Sequence, residues 1–83
     1  MIVKERYSPR AIGVNDTITI NGPTVGAFLA VTAGTLTIVN DSGVTVLNAF
    51  PVAAGQVVPL TMFVGNNGGS CTLGSGASGT LLV

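Results

Sequence analysis

The chain has 83 residues with a formal net charge of zero, and 47% of its residues are hydrophobic while only 7% are charged. A typical soluble protein carries about 25% charged residues, and a single domain of this length buries only roughly 60% of the surface of its unfolded chain. This combination argues against a protein that stays monomeric in water. It predicts that apolar surface is covered by other copies of the chain or by a larger partner.

All positive side chains lie in the first ten residues: Lys4, Arg6 and Arg10. Residues 11–83 carry only two charged side chains, both aspartates. Pro9 biases the residue before it toward extended backbone. We therefore divide the chain into an extended N-terminal docking arm, residues 1–10, and a single β domain, residues 11–83. The predicted partner-binding residues of the arm are Lys4, Arg6, Tyr7 and Arg10. The alternative is a frayed chain end without a binding role.

The charge pattern also limits the partner of this arm. Three cations beside Glu5 neutralise too few phosphates for strong nucleic-acid affinity, so we expect them to pair with the carboxylates of a protein. The most apolar stretch, residues 49–64, is shorter than the roughly 20 residues of a membrane-spanning helix and contains two prolines. No membrane partner is therefore expected. The opening MIVKERYSPR lacks the apolar segment of a signal peptide, which favours synthesis in the cytoplasm.

Beyond the arm, the sequence predicts seven or eight short strands separated by Gly, Asn and Asp turn residues. The segments with this pattern are 17–20, 27–32, 35–39, 44–49, 57–64, 70–73 and 80–83. Residues 27–32 are apolar at successive positions, so we expect both faces of that strand to be covered. Pro59 cannot donate a backbone hydrogen bond and predicts an edge position or a bulge. The predicted fold is all-β, a small antiparallel β-sandwich or jelly-roll-like barrel.

The clearest predicted element is a β-hairpin. Its strands, residues 35–39 and 44–49, flank the tetrapeptide Asn40-Asp41-Ser42-Gly43. An Asn or Asp side chain accepts hydrogen bonds from nearby backbone, and glycine adopts positive φ without strain. The pattern therefore predicts a hairpin closed by a bulged turn.

The residue types argue against an enzyme or a cofactor site. There is no histidine, the usual general base near neutral pH. Cys71 is the only cysteine, which excludes an intramolecular disulfide, and it is predicted to be a buried strand residue. Asp16 and Asp41 both fall at predicted turns. Residues 74–79, GSGASG, match the dinucleotide-binding pattern, but a strand rather than a helix is predicted to follow them. We expect no enzyme activity, no cofactor and no metal.

Four features occur in a recognisable order: Tyr7-Ser8-Pro9-Arg10-Ala11, the hairpin TLTIVNDSGVTV at 35–46, the segment FPVAAGQVVPL at 50–60, and a short terminal strand after a Gly/Ser/Thr loop. This layout, which spans residues 7–83, resembles small virion accessory proteins of tailed bacteriophages and related gene-transfer particles. These are the capsid decoration (cement) and head-spike-base types. One difference lies in the strand after VVPL, where such proteins have basic residues and this chain has Met62-Phe63-Val64.

The resemblance implies an all-β homotrimer on the outside of a capsid, bound to the major capsid protein and stabilising the shell. We therefore expect a capsid decoration protein on the exterior of a tailed-phage virion. One alternative is a head-spike or fibre base or attachment module that binds a receptor or a glycan, and another is a tail-associated assembly domain. Glycan binding favours exposed aromatic rings, whereas Phe28, Phe50 and Phe63 lie in strand-like contexts and are predicted to be core.

Overall fold

The computed structural model describes residues 8–20 and 23–83, and all the regular structure in these residues is β-strand. The eight strands are β1 (Pro9–Ile12), β2 (Thr17–Thr19), β3 (Thr24–Thr32), β4 (Gly34–Val39), β5 (Thr45–Val52), β6 (Val57–Phe63), β7 (Ser70–Gly74) and β8 (Ser78–Leu82). The predicted all-β class is confirmed. Within this described part of the chain, no helix is long and apolar enough to cross a membrane.

The strands form two antiparallel sheets of four. Sheet A has the order β1-β8-β3-β6, and sheet B has the order β2-β7-β4-β5. Strands that follow one another in sequence, such as β1 and β2 or β3 and β4, occupy corresponding places in the two sheets. The chain therefore passes repeatedly from one sheet to the other, which is the connectivity of a jelly roll.

The core lies between the sheets because alternate residues of each strand point inward. In sheet A, Phe28 pairs in register with both Leu81 and Val58, and these residues are 0–6% exposed. In sheet B, the corresponding pairs are Ile38 with Cys71 and Leu36 with Leu73, all at most 1% exposed. The prediction that Cys71 is a buried strand residue is confirmed. No buried polar side chain is found in the described residues.

The predicted hairpin is confirmed as β4 and β5. Asn40 Oδ1 accepts hydrogen bonds from the backbone N–H groups of Ser42 and Val44, both at 3.0 Å, and Gly43 has a φ of 81°. The two strands pair with register shifts that mark bulges. The side chain of Asn40 thus supplies the local turn geometry that its position in the sequence predicts.

Pro59 lies on β6, an edge strand of sheet A, so its missing N–H costs no bond on the solvent side. Between the pairs Val25–Met62 and Ala27–Pro59, β6 contains one more residue than β3, and Thr61 in this bulge has a φ of 40°. Both predicted possibilities for Pro59, an edge position and a bulge, are confirmed.

The two ends of the sandwich carry different connections. At one end, Ser8 and Val83 exchange backbone hydrogen bonds of 2.8 and 3.0 Å, and the N–H of Asp41 bonds to the carbonyl of Val64. We call this the arm end, because the chain before Ser8 is attached here. At the opposite end, Asn15 Oδ1 accepts a 2.8 Å bond from the N–H of Gly76 and joins the β1–β2 and β7–β8 connections.

Three expectations about burial need correction. Phe63 was expected in the core but is 63% exposed, because it pairs with Thr24 on the outer side of sheet A. Phe50 pairs with buried Leu36, yet β5 is an edge strand and leaves the ring 36% exposed. Residues 27–32, which lie in β3, were expected to be covered on both faces. Only the face toward the core is covered, since Val31 is 65% exposed.

Candidate interaction surfaces

The predicted docking arm falls largely outside the described residues, since Lys4, Arg6 and Tyr7 belong to the first seven. Pro9 and Arg10, the last two residues of the predicted arm, lie in β1 and pair with β8. The strand structure therefore begins inside residues 1–10 rather than after them. Within the described residues, the hydrogen-bonded β structure already includes Ser8.

Arg10 lies at the edge of the core side of sheet A. It pairs directly with Leu81, which is fully buried, and residues paired across antiparallel strands point to the same side of a sheet. The Arg10 side chain is consequently half-buried at the rim between the sheets. The structure separates it from the outer face of sheet A, which carries the exposed apolar residues.

The outer face of sheet A consists of two complete cross-strand rows. The first row is Ala11, Thr80, Leu29 and Val57, and the second is Pro9, Leu82, Ala27 and Pro59. Seven of these eight side chains are apolar, none is charged, and Thr80 supplies the single hydroxyl. Val57 within these rows is 61% exposed, and the neighbouring Phe63 and Val31 extend the surface at 63% and 65% exposed. We call this set the apolar face.

An open apolar groove adjoins this face at the β6 edge. It encloses about 170 Å³ between β5 and β6 and is lined by Leu47, Phe50, Val58, Pro59, Leu60 and Met62. The apolar surface thus continues around β6: Val57 and Phe63 point outward, whereas Leu60 and Met62 point into the groove. The groove and the apolar face therefore meet along β6 at an angle rather than in one plane.

The outer face of sheet B is different in kind, because hydroxyl groups dominate it. One row is Thr17, Thr72 and Thr37, and the next is Thr19, Ser70, Val39 and Thr45. Thr17 Oγ1 and Thr72 Oγ1 share a hydrogen bond of 3.0 Å, and Thr37 Oγ1 accepts one of 3.0 Å from the N–H of Ala49. Such a face is uncharged but well hydrated. We call it the hydroxyl face.

The described residues do not assemble a catalytic constellation. Asp41 belongs to the arm end, whereas Asp16 lies in the β1–β2 connection at the opposite end, so the two carboxylates are kept apart. Within residues 8–20 and 23–83, no three His, Cys, Asp or Glu side chains cluster as metal ligands. Burial raises the pKa of the Cys71 thiol to about 12, so it remains protonated and a poor nucleophile at neutral pH.

The glycine-rich segment 74–79 spans the end of β7, the turn at residues 75–77 and the start of β8. Ser75 and Gly76 have φ angles of 54° and 89°, and the N–H of Ala77 bonds to the carbonyl of Gly74 at 3.1 Å. A strand follows directly, so the helix N-terminus that receives a pyrophosphate is missing from this place. Only the residue pattern of this segment therefore matches a dinucleotide-binding site, and its structure does not.

The apolar face was only partly visible in the sequence. The segment Met62-Phe63-Val64 indicated additional apolar surface after VVPL, but Phe63 itself was expected in the core. Whether Val57 or Val58 points outward depends on strand register, and Val58 is 6% exposed while Val57 is 61% exposed. Pairing with Leu29 on β3 decides between them, which a run of adjacent valines does not.

Comparison with known proteins gives no match: no protein-family model, no curated protein and no solved structure is significantly similar to this chain.

Proposed function

We propose that the chain is a structural virion protein, a capsid decoration (cement) protein that binds the outside of a tailed-bacteriophage capsid and stabilises it. In this proposal it is synthesised in the host cytoplasm, associates with itself as a homotrimer and contacts the major capsid protein. It acts by covering and bridging surfaces and catalyses no reaction. It requires neither a cofactor nor nucleic acid.

The apolar face is the observation that supports this proposal most directly. Its two four-residue rows contain one hydroxyl and no charge, on a chain whose 83 residues include only six charged side chains. Exposed contiguous apolar surface marks interaction sites in soluble proteins. A jelly roll built in this way is suited to attachment, and jelly rolls form many viral capsid domains. That last point is an analogy of fold and carries less weight than the surface itself.

The stabilising effect would come from repetition. Burial of apolar surface contributes about 25 cal/mol per Å², and the loss of freedom on association offsets much of that gain. A single contact is therefore modest. A shell presents the same contact at many equivalent positions, so that modest contacts add up to resistance against internal pressure.

The arm gives the proposal its specificity. Lys4 and Arg6 precede Ser8 in the sequence, and Ser8 pairs with Val83 at the arm end. We expect these cations to pair with carboxylates of the major capsid protein. Salt bridges at a protein surface weaken as ionic strength rises, so capsid binding should fall with added salt.

Truncation at residue 7 tests the arm. Because the eight strands described above lie within residues 8–83 and Ser8 bonds to Val83, a chain of residues 8–83 should fold and self-associate as the full chain does. We expect it to lose binding to capsids assembled from the major capsid protein of the same genome, measured by co-sedimentation. A matched full-length chain with Lys4→Ser and Arg6→Ser should lose most of its binding, with a reduced dependence on salt.

The control is circular dichroism together with the mass in solution, which should be equal for the full and truncated chains. If residues 8–83 decorate capsids as well as the full chain, the arm has no docking role. If the full chain itself does not bind capsids, the decoration function is wrong.

The exposed ring of Phe63 favours one second candidate, a head-spike or fibre base module that binds a glycan. An aromatic ring open to solvent provides a surface on which a sugar ring packs, and Phe63 pairs with the hydroxyl-bearing Thr24. Binding to a glycan array that Phe63→Ser abolishes, without binding to capsids, would support this candidate over decoration.

A further inference from the structure

We infer that the apolar face is covered by a second copy of this chain, which packs against it through side chains and not by adding a strand to a sheet edge. The inference deepens the proposed function and rests on it for the setting in which the copies meet. It identifies the self-association surface within the fold and leaves the hydroxyl face in water.

The strand edges do not favour association by backbone pairing. In sheet A, the edge strand β6 carries Pro59 and a bulge, and the edge strand β1 has only four residues, including Pro9 and the inward-facing Arg10. Proline, bulges, short length and inward charges are the features by which proteins block edge-to-edge pairing. Sheet B shows the same features.

In sheet B, the edge strand β2 has three residues. The other edge strand, β5, contains Pro51 and bulges, and Ala49 has a φ of 48°. All four edges are therefore unsuited to receiving a strand. Apolar surface on the broad side of sheet A remains as the way for copies to associate.

The size and charge of the apolar face fit a second copy. The molecule measures 36 × 26 × 16 Å, so its broad side offers on the order of 700 Å², close to the roughly 800 Å² that each partner contributes to a stable interface. A partner that places charged groups here would lose their hydration without gaining an ion pair. An identical copy brings an uncharged apolar surface and avoids that loss.

The continuation of the apolar surface around β6 favours a ring over a face-to-face dimer. A single flat patch matches itself across a twofold axis, whereas two apolar surfaces at an angle allow one surface of each copy to contact the other surface of the next. The apolar face and the groove beside Leu60 and Met62 are such a pair. This geometry is consistent with the proposed homotrimer.

Substitution of exposed valines by aspartate tests the inference. Val31→Asp and Val57→Asp each place a charge on the apolar face, at positions 65% and 61% exposed in the single chain, so folding should be unaffected. Val44→Asp is the matched control, since Val44 is 56% exposed but lies at the β4–β5 turn of sheet B. Light scattering coupled to size-exclusion chromatography gives the mass, and circular dichroism with thermal unfolding monitors the fold.

We expect the two face variants to fold and to weaken association by about a hundredfold or more, because each buries an unpaired charge in the interface. They should elute as 8.2 kDa monomers at concentrations where the wild-type chain and Val44→Asp remain associated. Face variants that keep the wild-type mass would overturn the inference, as would a Val44→Asp variant that dissociates equally.

Capsid binding separates the two proposals. If the face variants stay associated while the wild-type chain decorates capsids, the surface assignment fails and the decoration function stands. If the face variants dissociate but the wild-type chain never binds capsids, the surface assignment stands and the decoration function fails. A wild-type chain that is monomeric contradicts both.

Discussion

Cys71 illustrates how strongly single residues are shielded in this small domain. Its side chain is 0% exposed on β7, where it pairs with Ile18 on one side and Ile38 on the other. Burial away from water penalises the thiolate and raises the pKa of the thiol from 9.0 to about 12. Cys71 therefore fills space in the core, and the ionisation of its thiol reports whether water reaches the core.

This pKa shift predicts a loss of stability at high pH. The unfolded thiol releases its proton near pH 9 and the folded thiol only near pH 12, so between these values the unfolded state binds fewer protons. The contribution is complete below pH 9 and declines by about 1.4 kcal/mol per pH unit above it. Urea unfolding of the wild-type chain and of Cys71→Ala from pH 8 to pH 11 measures it.

The variant should be less stable at pH 8 because it leaves a cavity, but its stability should fall less steeply above pH 9. Every other side chain is the same in the two chains, so the difference between the two slopes isolates the contribution of Cys71. Equal slopes for the two chains would show that Cys71 is accessible to water in the folded state.

At the scale of elements, glycines set the distance between strands and turns. A Cβ atom on Gly34, the first residue of β4, would collide with the carbonyl oxygen of Gly74, and it would lie 2.5 Å from the backbone nitrogen of Ala77. Both neighbours are backbone atoms of the β7–β8 turn, which cannot move aside cheaply. Gly34 thus allows the start of β4 to pack against that turn.

We predict that Gly34→Ala destabilises the domain by about 3 kcal/mol or more, since overpacking forces the backbone to shift. Gly13→Ala is the matched control, because its nearest contacts, to the Asp16 side chain, are ordinary ones of 3.8 and 3.9 Å. That variant should change stability by less than about 1 kcal/mol. The midpoints of urea unfolding test both, and a Gly34→Ala variant as stable as Gly13→Ala would refute the account of this contact.

The sequence alone predicted the elements that depend on local residue chemistry. The side chain of Asn40 and the positive φ of Gly43 define the β4–β5 turn, and Pro59 indicates an edge strand whichever strand is its partner. The orientation of side chains was harder to predict, because a shift of one residue moves a side chain to the opposite face. Val57 and Val58 are such a pair of neighbours, and Phe63 lies on the same outer side of β6 as Val57 and Pro59.

The candidate site was predicted in outline only. Excess apolar surface followed from composition, whereas its location on sheet A required the pairing of β1, β8, β3 and β6, which are distant in sequence. Arg10 was grouped with the arm because all three cations of the chain lie within the first ten residues. Pairing with Leu81 places it at the rim of the core instead. The roles of Lys4, Arg6 and Tyr7 stay predictions.

In the whole molecule, the two outer faces of the sandwich differ in polarity. Sheet B presents threonine hydroxyls that water solvates well, and sheet A presents the apolar face, although the alternation within each strand is the same. Because only Arg10, Asp16 and Asp41 carry charge in the described residues, electrostatic repulsion between copies is weak. The domain is therefore suited to association through one side.

Self-association through the apolar face can be measured by sedimentation equilibrium of the unmodified full chain at micromolar concentrations. We expect a mass near 25 kDa, about three times 8.2 kDa, as for a closed threefold ring. A mass of 8.2 kDa that persists as the concentration is raised would show that the chain tolerates its apolar face in water, and self-association would then be refuted.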